Sequence, residues 1–349
     1  MDLSELDTPS GEWLRGVGAE TDVVLSSRVR LARNLAGFPF ATKALEEQKA
    51  EILGRVKAAV DRWKAPGRRF FVDVSAAPAI ESRLLVERHL VSRELVLAKG
   101  PRGAVFGADE RVSLMVNEED HLRLQAIHSG LALDAAFEAA YAVDRELERS
   151  LPFAVSPQWG YLTACPTNVG TGMRASVMLH LPALVYTKQM EKVFQACGRT
   201  GLAVRGFYGE GTMAQGDFYQ ISNQVTLGVS EQDILHSLGR MLPTILEYER
   251  EIRRHLMKDK TKVRLEDKAY RALAVLRSAR TIASEEAMEL LSAVRLGVVL
   301  GILPAPPLPA VNELFVLIQP AHIQKLARKE LEADERDQRR AALLRERFA

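Results

Sequence analysis

The chain has 349 residues, 47% of them hydrophobic, enough for one large domain and a smaller one. Its 47 basic and 45 acidic residues nearly cancel, which excludes a global charge bias toward nucleic acid or a membrane surface. Two cysteines cannot form a disulfide framework, the N-terminus lacks signal-peptide blocks, and no apolar run approaches the roughly 20 residues that span a bilayer. Composition therefore predicts a cytoplasmic protein without membrane or direct nucleic-acid partners.

The first two thirds of the chain alternate between strand-like and helical patterns. Alternating or β-branched runs predict strands, and apolar spacings of three and four predict helices. Several strands follow one another without an intervening helix, which favours an α+β domain with an antiparallel sheet and helices on one face over a doubly wound parallel sheet. The predicted strands are 69–74, 103–106, 111–116, 203–208 and 218–227, and the predicted helices are 81–97, 131–151 and 187–197.

A second, smaller domain is predicted after a long amphipathic helix. That helix begins near Ser230 and is interrupted by Pro243. The lysine-rich stretch 258–262 that follows is typical of a boundary between domains. Beyond it the pattern is helical except for a proline-rich turn at 303–309. The predicted division is an N-terminal extension (1–21), a mixed helix and sheet domain (22–256) and a small all-α domain (257–349).

Three consecutive carboxylates, Glu118, Glu119 and Asp120, follow the predicted strand 111–116. Adjacent carboxylates repel one another unless cations or hydrogen-bond donors compensate them. A charge run is most often a solvated turn, so the cluster alone leaves a surface turn and a cleft both open. Its place at the end of a strand, where side chains can point into a cleft, indicates a cationic partner.

Arginines recur where a phosphate could be bound. Arg28 and Arg30 share a face if their segment is extended, since side chains two apart lie on the same side of a strand. Arg123 follows the acidic cluster, and Arg174 and Arg205 adjoin small residues or glycine that would let a ligand approach the backbone. A guanidinium donates paired hydrogen bonds to phosphate and stays charged. No P-loop or Rossmann glycine pattern occurs, so a nucleotide would be bound another way.

Four motifs occur in the same order as in the phosphagen (guanidino) kinases, which this chain resembles. The likeness is greatest to the branch of that family that phosphorylates arginines in proteins. Four multi-residue motifs in order are far more specific than any one of them. They lie at 26–30, 117–123, 165–177 and 205–210, with a further match at 221–228. The resemblance makes 22–256 a catalytic domain and 257–349 a domain for dimerisation and phosphoarginine binding.

The resemblance implies phosphoryl transfer from ATP, with Mg²⁺ held mainly by ATP and water and by no direct protein ligand. A free guanidinium has a pKa above about 12, so its proton must leave as the nitrogen attacks. The resemblance makes Glu119 the catalytic base that accepts this proton, Glu210 a second carboxylate clamp, and Cys165 the reactive thiol. Glu118, Asp120 and His121 support them. The implied ATP-binding residues are Ser26, Ser27, Arg28, Val29, Arg30, His89, Arg123, Arg174, Ala175, Ser176, Val177, Met178, Arg205, Gly206, Phe207, Tyr208 and Gly209.

Two departures from the family bear on the acceptor. Only 25 residues precede Ser26, whereas the small-molecule phosphagen kinases carry a helical domain there that closes over their guanidine substrate. Tyr208 stands where the kinases of free arginine usually have an arginine. Both departures favour an arginine displayed on a protein. A small-guanidine kinase, and a weakly active adaptor that binds phosphoarginine, are the alternatives.

The C-terminal helical pattern at 330–347 contains an Arg-Asp-x-x-Arg-Ala element. Arg336 and Arg340 are four apart and share a helical face, so both could meet one phosphate. An isolated arginine- and glutamate-rich helix end is typical of a solvated face. The resemblance implies instead an allosteric phosphoarginine pocket of Arg336, Asp337, Arg340 and Ala341.

The resemblance also implies partners and a wider role. Substrates would be proteins with exposed arginines, among them a heat-shock repressor. An activator protein and a Clp ATPase and protease would act with the kinase in a stress response that marks proteins for proteolysis. The enzyme itself would be a homodimer.

Overall fold

The computed structural model describes residues 11–63, 67–206 and 215–349. Within them, eight strands form one sheet in which each neighbouring pair is antiparallel. Counting a separate two-stranded pair, the described strands are β1 (Val24–Arg33), β2 (Arg69–Asp73), β3 (Gly103–Gly107), β4 (Val112–Val116), β5 (Leu122–Ser129), β6 (Val155–Ser156), β7 (Gly160–Tyr161), β8 (Met173–His180), β9 (Leu202–Arg205) and β10 (Phe218–Asn223). The order in the large sheet is β2-β3-β4-β5-β1-β8-β10-β9, and β6 pairs with β7.

Helices flank this sheet and make up the C-terminal region. None of the described helices is long and apolar enough to cross a membrane. The helices are α1 (Glu46–Arg62), α2 (Ala79–Glu87), α3 (Arg93–Leu97), α4 (Leu133–Glu148), α5 (Pro182–Tyr186), α6 (Met190–Arg199), α7 (Glu231–Leu256), α8 (Asp259–Ser278), α9 (Ser284–Val299), α10 (Leu308–Leu317), α11 (Pro320–Ala327) and α12 (Ala333–Phe348).

Alternation of side chains along each strand gives the large sheet two different faces. Val29 and Leu31 of β1 lie in the larger apolar core, together with buried side chains of α1, α4, α6 and α7. Arg28 and Arg30, between and beside them, line a polar cavity on the opposite face. The predicted α+β class, with an antiparallel sheet, flanking helices and a helical C-terminal region, is confirmed.

The C-terminal helices pack against part of that second face. One apolar cluster joins Leu291 and Phe315 of these helices to Met178 and Phe218 of the sheet and to Trp13 near the N-terminus. The rings of Phe218 and Phe315 meet edge to face, with centroids 4.8 Å apart. The last helices and the segment around Trp13 therefore share a core with the sheet. The domain boundaries after residues 21 and 256 stay predictions.

A buried guanidinium ties this helical region to the sheet. Arg295 of α9 donates hydrogen bonds to the carbonyl oxygens of Thr21 (2.8 Å) and Asp22 (3.1 Å), to Oδ1 of Asn312 (3.0 Å) and to Nδ1 of His180 (2.8 Å). Burial, reinforced by the charge of Arg295, holds the pKa of His180 well below its ordinary value, so the ring is neutral and accepts at Nδ1. One side chain thus satisfies four acceptors from separate parts of the chain.

Three predicted elements differ from the structure in detail. The helix predicted at 81–97 is two helices, α2 and α3, because the chain turns at His89, whose φ of +58° is left-handed. The helix α7 runs through Pro243 without ending, since apolar residues on both sides, among them Leu242 and Ile245, are buried against the sheet. The polar stretch 258–262 comprises the first turn of α8 and the residue before it, and its role as a domain boundary stays a prediction.

The predicted strands and helices leave out α1, α5, β5, β6, β7 and β8, and β1 is expected only on the condition that its segment is extended. In α1, charged residues outnumber the buried Ile52, Val56, Ala59 and Val60, so the helical stripe is narrow. The core side of β8 is apolar throughout, and the first five residues of β5 alternate between apolar residues in the core and polar residues at the cavity. The apolar residues Ile127 and Met178, which line the recess on the cavity side, interrupt this alternation and shorten the strand pattern.

We expect Arg295→Met to lower the free energy of unfolding by about 3 kcal/mol, because methionine fills much of the volume but leaves three acceptors without a donor: the Thr21 carbonyl, Oδ1 of Asn312 and Nδ1 of His180. Chemical denaturation measures this change. Arg271→Met on exposed α8 is the matched control, expected within about 0.5 kcal/mol of the parent. Equal effects of the two substitutions would contradict the structural role of Arg295.

Candidate active site

A polar cavity of about 330 Å³ opens on the second face of the sheet, and six arginines line it: Arg93 of α3 and five on the strands of the sheet. The antiparallel register brings them together. Arg30 of β1 pairs directly with Arg174 of β8. On the other side of β1, Arg123 of β5 lies opposite the residue two positions after Arg30. Arg28 precedes Arg30 by two residues on the same face, and Arg205 ends β9. The predicted convergence of isolated arginines follows from strand pairing alone.

Burial and mutual repulsion act on these guanidinium groups. Burial, with the charges of Arg123 and Arg174, lowers the pKa of Arg28 to about 10. Burial and the neighbouring arginines lower the pKa of Arg30 well below its ordinary value. The neutral Gln220 accepts from Arg28 at 3.2 Å, and Nε of Arg30 has no hydrogen-bond partner among the described residues. The cavity is arranged to accept an anion.

Glu118 is the carboxylate that compensates part of this charge. Both of its oxygens accept from Nη1 of Arg123, at 2.6 and 2.7 Å, and the Ser92 hydroxyl donates to it as well. Burial alone would raise the pKa of Glu118, but Arg123 and Ser92 outweigh it and the pKa is lowered. Burial likewise opposes the charge of Arg123, yet Glu118 outweighs it and raises the pKa of Arg123. The two side chains form a buried ion pair.

The two following carboxylates differ from Glu118 in their surroundings. Oδ1 of Asp120 accepts from Nδ2 of Asn34 and from the backbone N–H of Ala164, both at 2.6 Å. Burial raises the pKa of Asp120 despite these bonds. Asp120 therefore holds the neighbouring loop in place. Glu119 lines the same cavity as the arginines and is partly buried, and its charge helps raise the pKa of Arg123.

His121 supports the turn that carries these carboxylates. Its Nδ1 accepts from the backbone N–H of Leu35 at 2.9 Å, and its Nε2 lies 2.8 Å from the carbonyl oxygen of Pro39. A carbonyl can only accept, so Nε2 carries the proton. The ring is fully used by the backbone, which makes His121 a structural support of the turn.

Cys165 lies in the wall of the same cavity and is partly buried. Its Sγ is 3.0 Å from Oγ1 of Thr167. The hydroxyl of Thr163 donates instead to the backbone carbonyl of Cys165, at 2.8 Å. The thiol is therefore close to the hydroxyl of Thr167, whereas the hydroxyl of Thr163 is directed to the backbone.

His89 lines the cavity and, together with Trp13, a small recess beside it. Burial lowers the pKa of His89 to about 3, so its ring is neutral. The Trp13 ring meets it edge-on, with centroids 5.1 Å apart and planes at 90°. Sequence reasoning missed Trp13. Its only signal is a large aromatic residue in a polar N-terminal segment.

The other predicted site residues fall into three groups. Those that line the recess with Arg28 and His89 are Ser26, Ser176 and Met178. Those on the opposite face are Ser27, whose hydroxyl donates to the carbonyl of Gly130, and the core residues Val29, Ala175 and Val177. Gly206 directly follows β9. The residues that lie outside the described part of the chain are Phe207, Tyr208, Gly209 and Glu210.

A second cavity, of about 530 Å³, lies between the α2–α3 segment and the C-terminal helices. Arg336 lines it together with Arg83 and Arg93, and Nη1 of Arg336 also donates to the carbonyl of Leu331 at 2.7 Å. Arg93 and Val86 line both cavities. Arg336, predicted as a pocket residue, therefore lines a cavity that shares a wall with the arginine-lined cavity.

Arg340 has a different environment from Arg336. It is 1% exposed and donates to the carbonyl oxygens of Ile318 (2.7 Å) and Ile282 (2.8 Å) and to Asp337. Ala341 is buried in the apolar cluster of the helices. The structure thus places Arg336 at the cavity and Arg340 in the packing behind it, because α12 turns its Arg340 side into the core.

We expect Glu118→Gln to lower the free energy of unfolding by about 3 kcal/mol at pH 7, because Arg123 loses a buried partner. The pKa of Glu118 is lowered in the folded protein, so its carboxylate stabilises the fold above the ordinary glutamate pKa. That stabilisation is lost as the pH falls through the folded-state value. Denaturation between pH 7 and pH 3 should show the parent and variant converging in acid.

The matched control for this pH series is Glu289→Gln, at an exposed position of α9. It should follow the parent at every pH. A difference between parent and Glu118→Gln that stays constant down to pH 3 would contradict an ionised Glu118.

Comparison with known proteins agrees with this geometry. The model described as "ATP:guanido phosphotransferase, C-terminal catalytic domain" matches residues 51–252. The model described as "Protein-arginine kinase McsB C-terminal domain" matches residues 262–349.

Relatives match over nearly the whole chain. A protein-arginine kinase of Halothermothrix orenii is 45% identical over 349 residues, covering 100% of this chain and 99% of its own. One of Bacillus subtilis is 44% identical over 339 residues, covering 96% of this chain and 93% of its own.

Solved structures share the fold. The duplicated taurocyamine kinase of Schistosoma mansoni, with bound transition state analog components, has a TM-score of 0.62 and 27% identity over 66% of this chain and 33% of that one. Lombricine kinase has a TM-score of 0.60 and 24% identity over 69% of this chain and 71% of its own, a likeness of fold. With full-length relatives and both family models in agreement, the chain belongs to the protein-arginine kinases of the guanidino kinase family.

Proposed function

We propose that this enzyme transfers the γ-phosphoryl group of ATP to an arginine side chain of a protein, in the cavity that Arg28, Arg30, Arg123, Arg174 and Arg205 line. The observation that carries the proposal is the set of five arginines that the sheet places along one cavity, which Glu119 also lines. Phosphoryl transfer depends mainly on positioning and on neutralising charge over the transferred group. Guanidinium groups fixed by a sheet supply both.

Glu119 is proposed to orient the incoming guanidinium and to accept its proton. The guanidinium nitrogen attacks the γ-phosphorus, the bond from that phosphorus to the bridging oxygen breaks, and ADP leaves with the electron pair. The proton released from nitrogen passes to the Glu119 carboxylate as the N–P bond forms. Glu118 and Asp120 are occupied by Arg123 and by the Ala164 loop, which supports Glu119 in this role.

Neutral His89, held edge-on by Trp13, is proposed to contact the nucleotide beside the recess that Ser26, Ser176 and Met178 line. Mg²⁺ would neutralise phosphate charge when it is bound. Across the described ranges, no group of three or more His, Cys, Asp or Glu side chains could hold a metal ion. We therefore propose that the phosphates and water hold Mg²⁺ and that the arginines bind the remaining phosphate oxygens.

The second cavity is proposed, on the family resemblance, to bind phosphoarginine as a regulator. Arg336 would meet the phosphate, and the neighbouring Arg83 and Arg93 add positive charge to the same wall. Arg340 and Asp337 would support the pocket from behind through their ion pair. Because Arg93 lines both cavities, a ligand bound in one cavity would act on the other through this side chain.

The wider role proposed here also rests on the family resemblance. Phosphorylated arginines would mark cytoplasmic proteins for a Clp ATPase and protease, and phosphorylation would inactivate a heat-shock repressor during stress. An activator protein and a second copy of the chain would be partners.

We expect Glu119→Gln to lower the rate of phosphoarginine formation by about 10²–10⁴-fold, because the amide can orient the guanidinium but cannot accept its proton. Mass spectrometry at neutral pH, where the N–P bond survives, measures product on an unfolded protein and on free arginine in parallel. Glu191→Gln, at an exposed position of α6, is the control and should keep parental activity.

Each other outcome of this assay has a distinct meaning. Near-parental turnover of a folded Glu119→Gln protein would exclude Glu119 as the base. Faster turnover of free arginine than of protein would indicate a small-guanidine kinase. Binding of phosphoarginine by a parent enzyme without turnover would indicate an adaptor, and phosphate on serine or threonine would overturn the proposal.

We expect Arg336→Met to weaken binding of free phosphoarginine at least about tenfold, because a charge-assisted phosphate contact is lost, with little change in stability. Arg340→Met should instead lower the free energy of unfolding by about 3 kcal/mol, because it leaves buried carbonyls unsatisfied. Calorimetric titration and denaturation measure the two effects. Exposed Arg339→Met is the matched control on α12; if it weakens binding as much as Arg336→Met, the proposed pocket is wrong.

A further inference from the structure

An open groove of about 410 Å³ lies beside the segment 165–172, separate from both cavities described above. Cys165 and Thr167 of that segment line the arginine-bearing cavity, whereas Gly170 and Thr171 line the groove. One short segment therefore forms a wall of each. A chain bound in the groove would lie one loop away from the reacting arginine.

The floor of the groove is rigid and built around Tyr161. The guanidinium of buried Arg33 stacks on the Tyr161 ring, with Cζ 3.5 Å from the centroid. Asp144 holds Arg33 through an ion pair of 2.8 Å. The backbone N–H of Tyr161 donates to the carbonyl of Gly170 at 2.8 Å, so the floor and the wall are joined. Asp144 neutralises the charge of Arg33 beneath the ring, so this charge does not face the groove.

Large apolar side chains are exposed along the groove. Trp159 is 47% exposed, Val155 52% and Leu227 45%, and all three line it. Scattered apolar residues are normal on a protein surface, but three at one concave site indicate a partner. An exposed tryptophan face suits a flat cation such as guanidinium.

Two carboxylates give the groove a negative charge. Glu148 ends α4 and Glu231 begins α7, and both line the groove. Neither forms an ion pair or side-chain hydrogen bond with a described residue. After burial, which contributes most, the negative charges near Tyr161, including these two, help raise the pKa of its hydroxyl. The groove thus carries the charge opposite to that of the arginine-lined cavity.

We propose that this groove binds a second arginine of the protein substrate, in an extended segment next to the arginine that is phosphorylated. The inference rests on the proposed function. A guanidinium can lie on the Trp159 ring and donate its paired hydrogen bonds to Glu148 or Glu231. Val155 and Leu227 take neighbouring aliphatic side chains. The enzyme would then favour unfolded, arginine-rich segments over a single small guanidine.

The kinetic test compares a long substrate with a short one. The variants are Glu148→Gln combined with Glu231→Gln, and Trp159→Ala. The long substrate is an unfolded protein with several arginines, and the short one is the tripeptide Gly-Arg-Gly, which cannot reach the groove from the active site. We expect each variant to raise KM for the long substrate about 5–10-fold, as loss of a cation–π or paired charge contact implies, with kcat and all tripeptide constants unchanged.

The matched control combines Glu138→Gln with Glu251→Gln, exposed positions on the same two helices α4 and α7 but away from the groove. It removes the same net charge and should leave KM unchanged. Equal rises in KM for variants and control would show a general charge effect and overturn the proposal. So would unchanged KM in the groove variants, or parallel losses on both substrates.

A binding measurement separates failure of the groove from failure of the proposed function. Fluorescence anisotropy of a labelled peptide with three arginines is followed on Glu119→Gln protein without ATP, so that no turnover is needed. We expect the groove variants to weaken binding about 5–10-fold and the control to have no effect. A lysine-for-arginine peptide that binds equally well would overturn guanidinium recognition. If the parent binds the peptide through the groove but never phosphorylates it, the proposed function fails and the groove stands.

Discussion

Repulsion among guanidinium groups on one face of the sheet is the constraint around which the site is arranged. The strand register fixes Arg30 beside Arg174, so these charges cannot move apart without breaking the sheet. Burial raises the cost of their charge, and the protein offsets only part of it through Glu118. The arrangement is most stable with an anion present. Binding of an anion among these arginines would relieve their repulsion.

The same constraint explains why three adjacent carboxylates differ in their contacts. Glu118 is needed by Arg123 and is held as an anion by it. Asp120 faces the loop behind the turn, where burial disfavours its charge. Glu119 lines the same cavity and is partly buried, whereas Glu118 pairs with Arg123 and Asp120 accepts from the backbone N–H of Ala164. The three carboxylates of this turn therefore have different contacts because each side chain leaves the turn in a different direction.

The sequence predicts the fold class and much of the site, because strand alternation puts Arg28 and Arg30 together and the motifs resemble a known family. It does not predict the break between α2 and α3, since the left-handed turn at His89 depends on packing against Trp13 from a distant segment. Helical spacing shows that Arg336 and Arg340 share a face. It cannot show that Arg340 is drawn inward by carbonyls of Ile282 and Ile318, which belong to other parts of the chain.

The positions of two tryptophans have an experimental consequence. Trp13 is almost fully buried against His89, and Trp159 is half exposed in the groove. Buried and solvated indoles emit at different wavelengths, and a Trp63→Phe background would remove the third tryptophan. On the proposed function, stopped-flow emission would then follow the order in which nucleotide and protein substrate arrive, without attaching any dye to the enzyme.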